Sequence, residues 1–288
     1  NKVKDKETSY YKRLDETVKF NLSEPEKDFN IFKIEFENIR NYGILERSNK
    51  KKLIIFNQGH LGNSYNKKYF LEVKRYFKDN GFDFLTLNML GRGFNFQGNV
   101  KFPNKSKNIQ LNTYDHENIQ YFLNKKYQIK KPLSLFLSGN YYLINHIINK
   151  NNYDEIIFFG VSAGGWYGLF LSPLIKEIDV TYVFNGNVPK YLMNFKDTKG
   201  DWEVAESEVY DRINYWTLYK MIYKNPENQK KKLYMIYNTK DKCCFRDPSA
   251  SVMKKIEKKI NNNRFNVKLY EREKFHGVDL NFLIKIFD

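Results

Sequence analysis

Six short apolar runs, spaced so that helices fit between them, constrain the fold of this sequence more than any other feature. They are KLIIFNQG (52 to 59), FDFLTLNML (82 to 90), EIIFFGV (155 to 161), DVTYVFN (179 to 185), KLYMIYN (232 to 238) and FNVKLYE (265 to 271). The first is a short continuous apolar run that ends in a polar loop, and the next two likewise read as buried strands, the pattern of a sheet covered on both faces. Helical spacing fills the gaps at 65 to 79, 116 to 126, 133 to 149, 164 to 176, 249 to 260 and 279 to 287. Strands alternating with helices require crossovers, so the expected fold is α/β, a mostly parallel central sheet with helices on both faces. Ahead of Glu46, the alternating stretch IFKIEFE (31 to 37) and then Gly43-Ile44-Leu45 read as two or three antiparallel strands that extend one edge.

The chain has 288 residues, 41% hydrophobic and 17% aromatic, which fits one folded domain over 1 to 288 rather than disorder. Residues 1 to about 30 form a charged lead-in. Residues 186 to 231 exceed an ordinary crossover and read as an inserted lid with its own helices. No apolar run approaches the roughly 18 residues a membrane-spanning helix needs. A soluble protein is expected, cytoplasmic or, if a signal peptide preceded Asn1, exported.

A formal charge of +16 invites a nucleic-acid reading. The basic residues, however, are scattered in short groups such as Lys50-Lys51-Lys52 and Lys230-Lys231-Lys232, and Lys, Asn, Ile, Tyr and Phe are enriched together. That is compositional drift, so no nucleic-acid partner is expected. The two cysteines, Cys243 and Cys244, are adjacent and read as reduced side chains, because a bridge between neighbours is rare.

Chemistry concentrates in FFGVSAGGWYGLF (158 to 170), where Gly160-Val161-Ser162-Ala163-Gly164 spells G-x-S-x-G between a buried strand and a helix. A nucleophile there occupies a strained corner that lifts its hydroxyl above the sheet, and glycines two residues either side let strand and helix approach. A serine nucleophile needs a base, and the base a carboxylate. Of the four histidines, His146 lies in the apolar helix LINHII and His116 opens TYDHENI. His60 follows the first buried strand, and His276 stands between the last strand and the last helix, where a base would reach Ser162. Asp241 closely follows KLYMIYN, whereas Asp247, before Pro248, looks like a turn residue.

The elbow GVSAGG, the loop NQGHLG, NTKD after the fifth run and FHG after the sixth together resemble the α/β-hydrolases over about residues 30 to 288. The order nucleophile, acid, histidine is that of the family. The resemblance implies a triad of Ser162, Asp241 and His276, with an oxyanion hole from the backbone of Ala163 and of His60 or Leu61. Two departures stand out: Gln58-Gly59-His60 replaces the His-Gly of many relatives, and NMLGRGFN carries Asn88 where a D-x-R-G-x-G loop has aspartate.

The implied function is a serine hydrolase that cleaves a carboxylic ester through an acyl-enzyme, with no metal and no cofactor. A non-catalytic binding protein on the same scaffold is the rival, and acyltransferases and peptidases share the machinery. Leu61, Trp166, Trp202 and Trp216 are the expected substrate contacts. The aromatic and acidic composition of 186 to 231 suits a small-molecule or glycan ester with a short acyl group.

Overall fold

The computed structural model describes residues 29–36, 39–48, 50–60, 68–95, 99–101, 108–110, 132–193, 210 and 213–287. The charged lead-in and the helix expected at 116 to 126 lie outside them. The elements in chain order begin with β1 (Phe29–Phe36), β2 (Ile39–Glu46), β3 (Lys52–Gln58), α1 (Lys68–Asp79) and β4 (Phe82–Asn88). A small ribbon of β5 (Asn99–Lys101) and β6 (Asn108–Gln110) follows. Then come α2 (Pro132–Lys150), β7 (Glu155–Val161), α3 (Ala163–Leu174), β8 (Val180–Phe184) and α4 (Tyr215–Tyr223). The chain closes with β9 (Lys232–Asn238), α5 (Ser249–Ile260), β10 (Phe265–Tyr270) and α6 (Leu280–Phe287).

Eight strands form one sheet in the order β1-β2-β4-β3-β7-β8-β9-β10. Every pair from β4 onward is parallel, and β1 and β2 extend the β4 edge antiparallel, as the alternating sequence there predicts. Because strand side chains alternate between faces, an all-apolar strand must have two covers. On one face Leu53, Ile55, Leu87, Phe158 and Val183 pack against residues of α2, α3, α4 and α5. On the other, Ile54, Phe56, Phe84 and Phe159 meet Phe70, Val73 and Phe77 of α1 and Leu283 of α6. Glu46, buried at the end of β2, pairs with Lys74 at 3.0 Å and Lys78 at 3.3 Å and so ties α1 to the antiparallel edge.

The spatial order differs from the chain order at β3, β4 and β7, so the C-terminal ends of β3, β7, β8 and β9 lie side by side. That edge carries the site. Among the described residues no helix is long and apolar enough to cross a membrane.

Candidate active site

Ser162 stands between β7 and α3 with φ 56° and ψ −132°, a left-handed backbone that side chains other than glycine rarely adopt. Backbone hydrogen bonds hold it there: its N–H donates to the Phe184 carbonyl at 2.8 Å, and its carbonyl accepts from the Gly165 N–H at 2.8 Å and the Trp166 N–H at 3.4 Å. The flanking glycines are required by space. A methyl at Gly160 would stand 2.3 Å from the Gly164 carbonyl oxygen, and one at Gly164 would stand 1.9 Å from that of Asn57. Both neighbours are backbone and cannot move aside. The spacing read from the sequence is therefore a packing condition between β3, β7 and α3.

Gly59, directly after β3, lies against the same corner. A methyl there would sit 2.7 Å from the Ala163 nitrogen and 2.8 Å from Ser162 Cβ. Ala163 opens α3, so its N–H has no carbonyl a turn earlier to bind. The chain after β3 thus runs beside an amide at a helix N-terminus, a place suited to negative charge. His60 comes next and is half-buried. Leu61 lies outside the described residues.

Asp241 and His276 meet. His276 Nδ1 lies 2.8 Å from Asp241 Oδ2, and both residues are buried. The other carboxylate oxygen accepts the amides of Cys243 at 2.6 Å and Cys244 at 3.3 Å, so the buried charge has partners on both oxygens. With the carboxylate on Nδ1, that nitrogen carries the proton and Nε2 is left as the basic atom. The expectation of reduced cysteines is corrected here, since the sulfurs of Cys243 and Cys244 are bonded.

The histidine loop crosses back over the sheet. Gly277 packs on Tyr69 of α1, where an added methyl would meet the ring at 3.0 Å. The Tyr69 hydroxyl donates to Gln58 Oε1 at 2.5 Å, on the last residue of β3. His276 therefore lies between the acid after β9 and an anchor at the end of β3. The strand that carries Ser162, β7, stands between those two. Burial pushes the Tyr69 and Tyr270 phenols up, so both stay neutral donors; Tyr270 donates to the Gly277 carbonyl at 3.0 Å.

The remaining sequence candidates go elsewhere. Asp247 is exposed and caps the start of α5, accepting from the Ser251 N–H at 3.0 Å and Ser251 Oγ at 2.8 Å. His146 packs edge-on to Phe32 within α2, and burial lowers its pKa; His116 lies outside the described residues. Asn88 acts as a latch: its carbonyl accepts from Asn95 and Asn140 side chains at 2.8 and 3.3 Å. Trp166 is wholly enclosed, donating to the Tyr210 hydroxyl at 2.7 Å and packing on Phe170. Trp216 packs edge-on against Phe265, the first residue of β10 and the far end of that strand from the histidine loop. Its Nε1 donates to the Tyr191 hydroxyl at 3.1 Å. Neither indole is brought together with Ser162 by these contacts, and Trp202 lies outside the described residues. Tyr69, Asn185 and Asn238, which the sequence reading passes over, organise the site. Asn185 and Asn238 sit at the ends of apolar runs and Tyr69 is the second residue of α1, and nothing local marks them.

The sheet order, the strained strand-to-helix corner at Ser162 and the helices on both faces match the α/β-hydrolase fold. Solved structures similar to this chain include several esterases and an α/β hydrolase. Acetyl xylan esterase 1 from Thermoanaerobacterium sp. JW/SL YS485 aligns with a TM-score of 0.60 at 15% identity, over 93% of this chain and 85% of that one. The Pyrococcus furiosus esterase Pf2001 aligns at 0.55 and 13%, over 90% and 88%. Est1E from Butyrivibrio proteoclasticus aligns at 0.53 and 12%, over 89% and 95%. No family model matches the sequence, and no curated protein matches it. At these identities the likeness is one of fold, and the chemistry has to be argued from the residues.

Proposed function

We propose that the protein is a serine hydrolase of carboxylic esters, with Ser162 as nucleophile, His276 as base and Asp241 as the carboxylate behind it. The observation that carries this reading is the buried 2.8 Å contact of His276 Nδ1 with Asp241 Oδ2, on the sheet edge where Ser162 holds a strained φ of 56°. Ser162 Oγ attacks the acyl carbon while His276 Nε2 takes its proton. Asp241 holds the ring in the required tautomer and stabilises the imidazolium. The oxyanion is received by the amide of Ala163 and that of His60, beside Gly59. The tetrahedral intermediate then collapses, His276 returns the proton to the leaving alkoxide, and water repeats the sequence on the acyl-enzyme.

The substrate reading is a short acyl ester of a polar alcohol, a carbohydrate included, beneath a lid formed by 186 to 231. Support comes from an acetyl xylan esterase among the similar structures and from the aromatic and acidic composition of that segment. Tyr210, Tyr215 and Tyr219 are buried and pack the segment onto the sheet. Two measurements test the proposal. Ser162→Ala should fold normally, lose fluorophosphonate labelling and lose about 10³-fold or more in kcat. Across p-nitrophenyl esters, kcat/KM should peak at acyl chains of about two to four carbons, as expected of a pocket sized to its acyl group. Undiminished turnover by Ser162→Ala sinks the nucleophile, and a peak at ten carbons or longer sinks the substrate class.

A further inference from the structure

The acid and the base come from loops that follow different strands, yet one buried side chain holds both. Asn238, the last residue of β9, is fully enclosed. Its Nδ2 donates to two carbonyls of the histidine loop, Arg272 and Phe275, both at 2.7 Å. Its Oδ1 accepts the Arg272 N–H at 2.8 Å and the Lys240 N–H at 3.2 Å. A side-chain amide has two donor hydrogens and two acceptor lone pairs, and all four are engaged.

The Asn238 backbone continues the pattern. Its carbonyl accepts the Asp241 N–H at 3.1 Å, which closes the turn that presents the carboxylate. Its N–H donates to Asn185 Oδ1 at 2.8 Å. Asn185, just beyond β8 with φ 45°, donates its own N–H to Ile236 at 2.8 Å, and the preceding carbonyl, Phe184, holds Ser162. Asn238 is thus one bond from the acid turn, one from the residue before His276, and two residues removed from the nucleophile's own anchor.

We propose that Asn238 is a positioning residue of the triad: its amide sets the separation and angle of the acid turn and the histidine loop, and thereby the orientation of His276 on Asp241. It touches no reacting atom and acts only through that pair. The proposal rests on the functional reading above. It differs from an ordinary structural role in its consequence. Ground-state binding should survive its loss, and the rate of the chemical steps should not.

The test measures Asn238→Ala with p-nitrophenyl acetate and with a fluorophosphonate, in the wild-type and Asp241→Asn backgrounds, with circular dichroism and thermal melting alongside. In the wild-type background kcat should fall about 10²-fold, the cost of a small misplacement, with KM changed less than about twofold. In Asp241→Asn the same substitution should cost less than about threefold, since the pair it orients is already broken. Full kcat, an equal loss in both backgrounds, or a change in KM alone overturns the proposal. Should Asn238→Ala not fold, Asn238→Asp carries the same two readings, because it keeps the shape and turns both donors into acceptors facing carbonyls. If neither folds, Asn238 is structural and the proposal falls. Labelling of the wild type that Ser162→Ala abolishes belongs to the functional reading, which fails if that labelling is absent. Equal labelling of wild type and Asn238→Ala overturns the positioning role alone.

Discussion

Ser162 holds a backbone conformation that costs on the order of 1–3 kcal/mol, and the surroundings over-determine it. Its amide is held by β8, its carbonyl by α3, and Gly59 closes the remaining side. The two aspartates after β9 divide in the same local way. Asp241 is buried with one oxygen on His276 and the other on backbone amides, whereas Asp247 is exposed at a helix start. Asp241→Asn should therefore reduce kcat by on the order of 10²- to 10⁴-fold, through loss of the histidine's orientation. Asp247→Asn should leave kcat within about twofold and cost under about 1 kcal/mol, since asparagine also caps. Steady-state kinetics on both variants decide it, and the reverse ranking would move the acid. Ser162, Asp241 and His276 were legible because each stands just past an apolar run. Asn238 was not, since its partners lie 34 and 37 residues further along the chain.

At the scale of elements, α3 is held at both ends. The elbow fixes its start. At its far end Lys231, the buried residue before β9, donates to the carbonyls of Ser172 and, at 2.8 Å, Ile175. A cation suits the negative end of a helix, but burial charges against it. Desolvation is the larger effect and lowers the Lys231 pKa from 10.5 to about 8, with Asp179 and Glu177 acting in the opposite sense. Between those two values the unfolded chain binds a proton that the folded one has released, so stability rises with pH across that window. Wild type should accordingly gain on Lys231→Met by on the order of 1–3 kcal/mol from pH 8 to 10.5. Denaturant unfolding at constant ionic strength reads this, and a gap independent of pH would contradict it. The existence of α3 could be read from GGWYGLF, but the lysine that closes it came from outside the element and looked like part of a surface basic group.

Among the described residues the large sheet carries a core on each face, and the second depends on α6. Phe287 of α6 stacks on Tyr182 at 4.6 Å and meets Phe77 edge-on at 4.9 Å, so α6, α1 and β8 share one aromatic cluster. Phe287 is partly buried, so Phe287→Ala should destabilise the protein by about 1–2 kcal/mol, with kcat/KM unchanged well below the melting temperature, because His276 is held by its own loop. A melting curve and an assay on the same sample check this; a loss of kcat/KM in the folded variant would show that α6 positions the histidine. Apolar runs, helical spacing and the G-x-S-x-G corner determined the layered sheet, its antiparallel edge and the place of Ser162, because strand period, helix period and glycine clearance act over a few residues. Which strand neighbours which, where Trp166 and Trp216 pack, and that Asn238 spans the acid turn and the histidine loop were decided only by tertiary structure. Those features join segments far apart in sequence, and neither partner carries a local sign of the other.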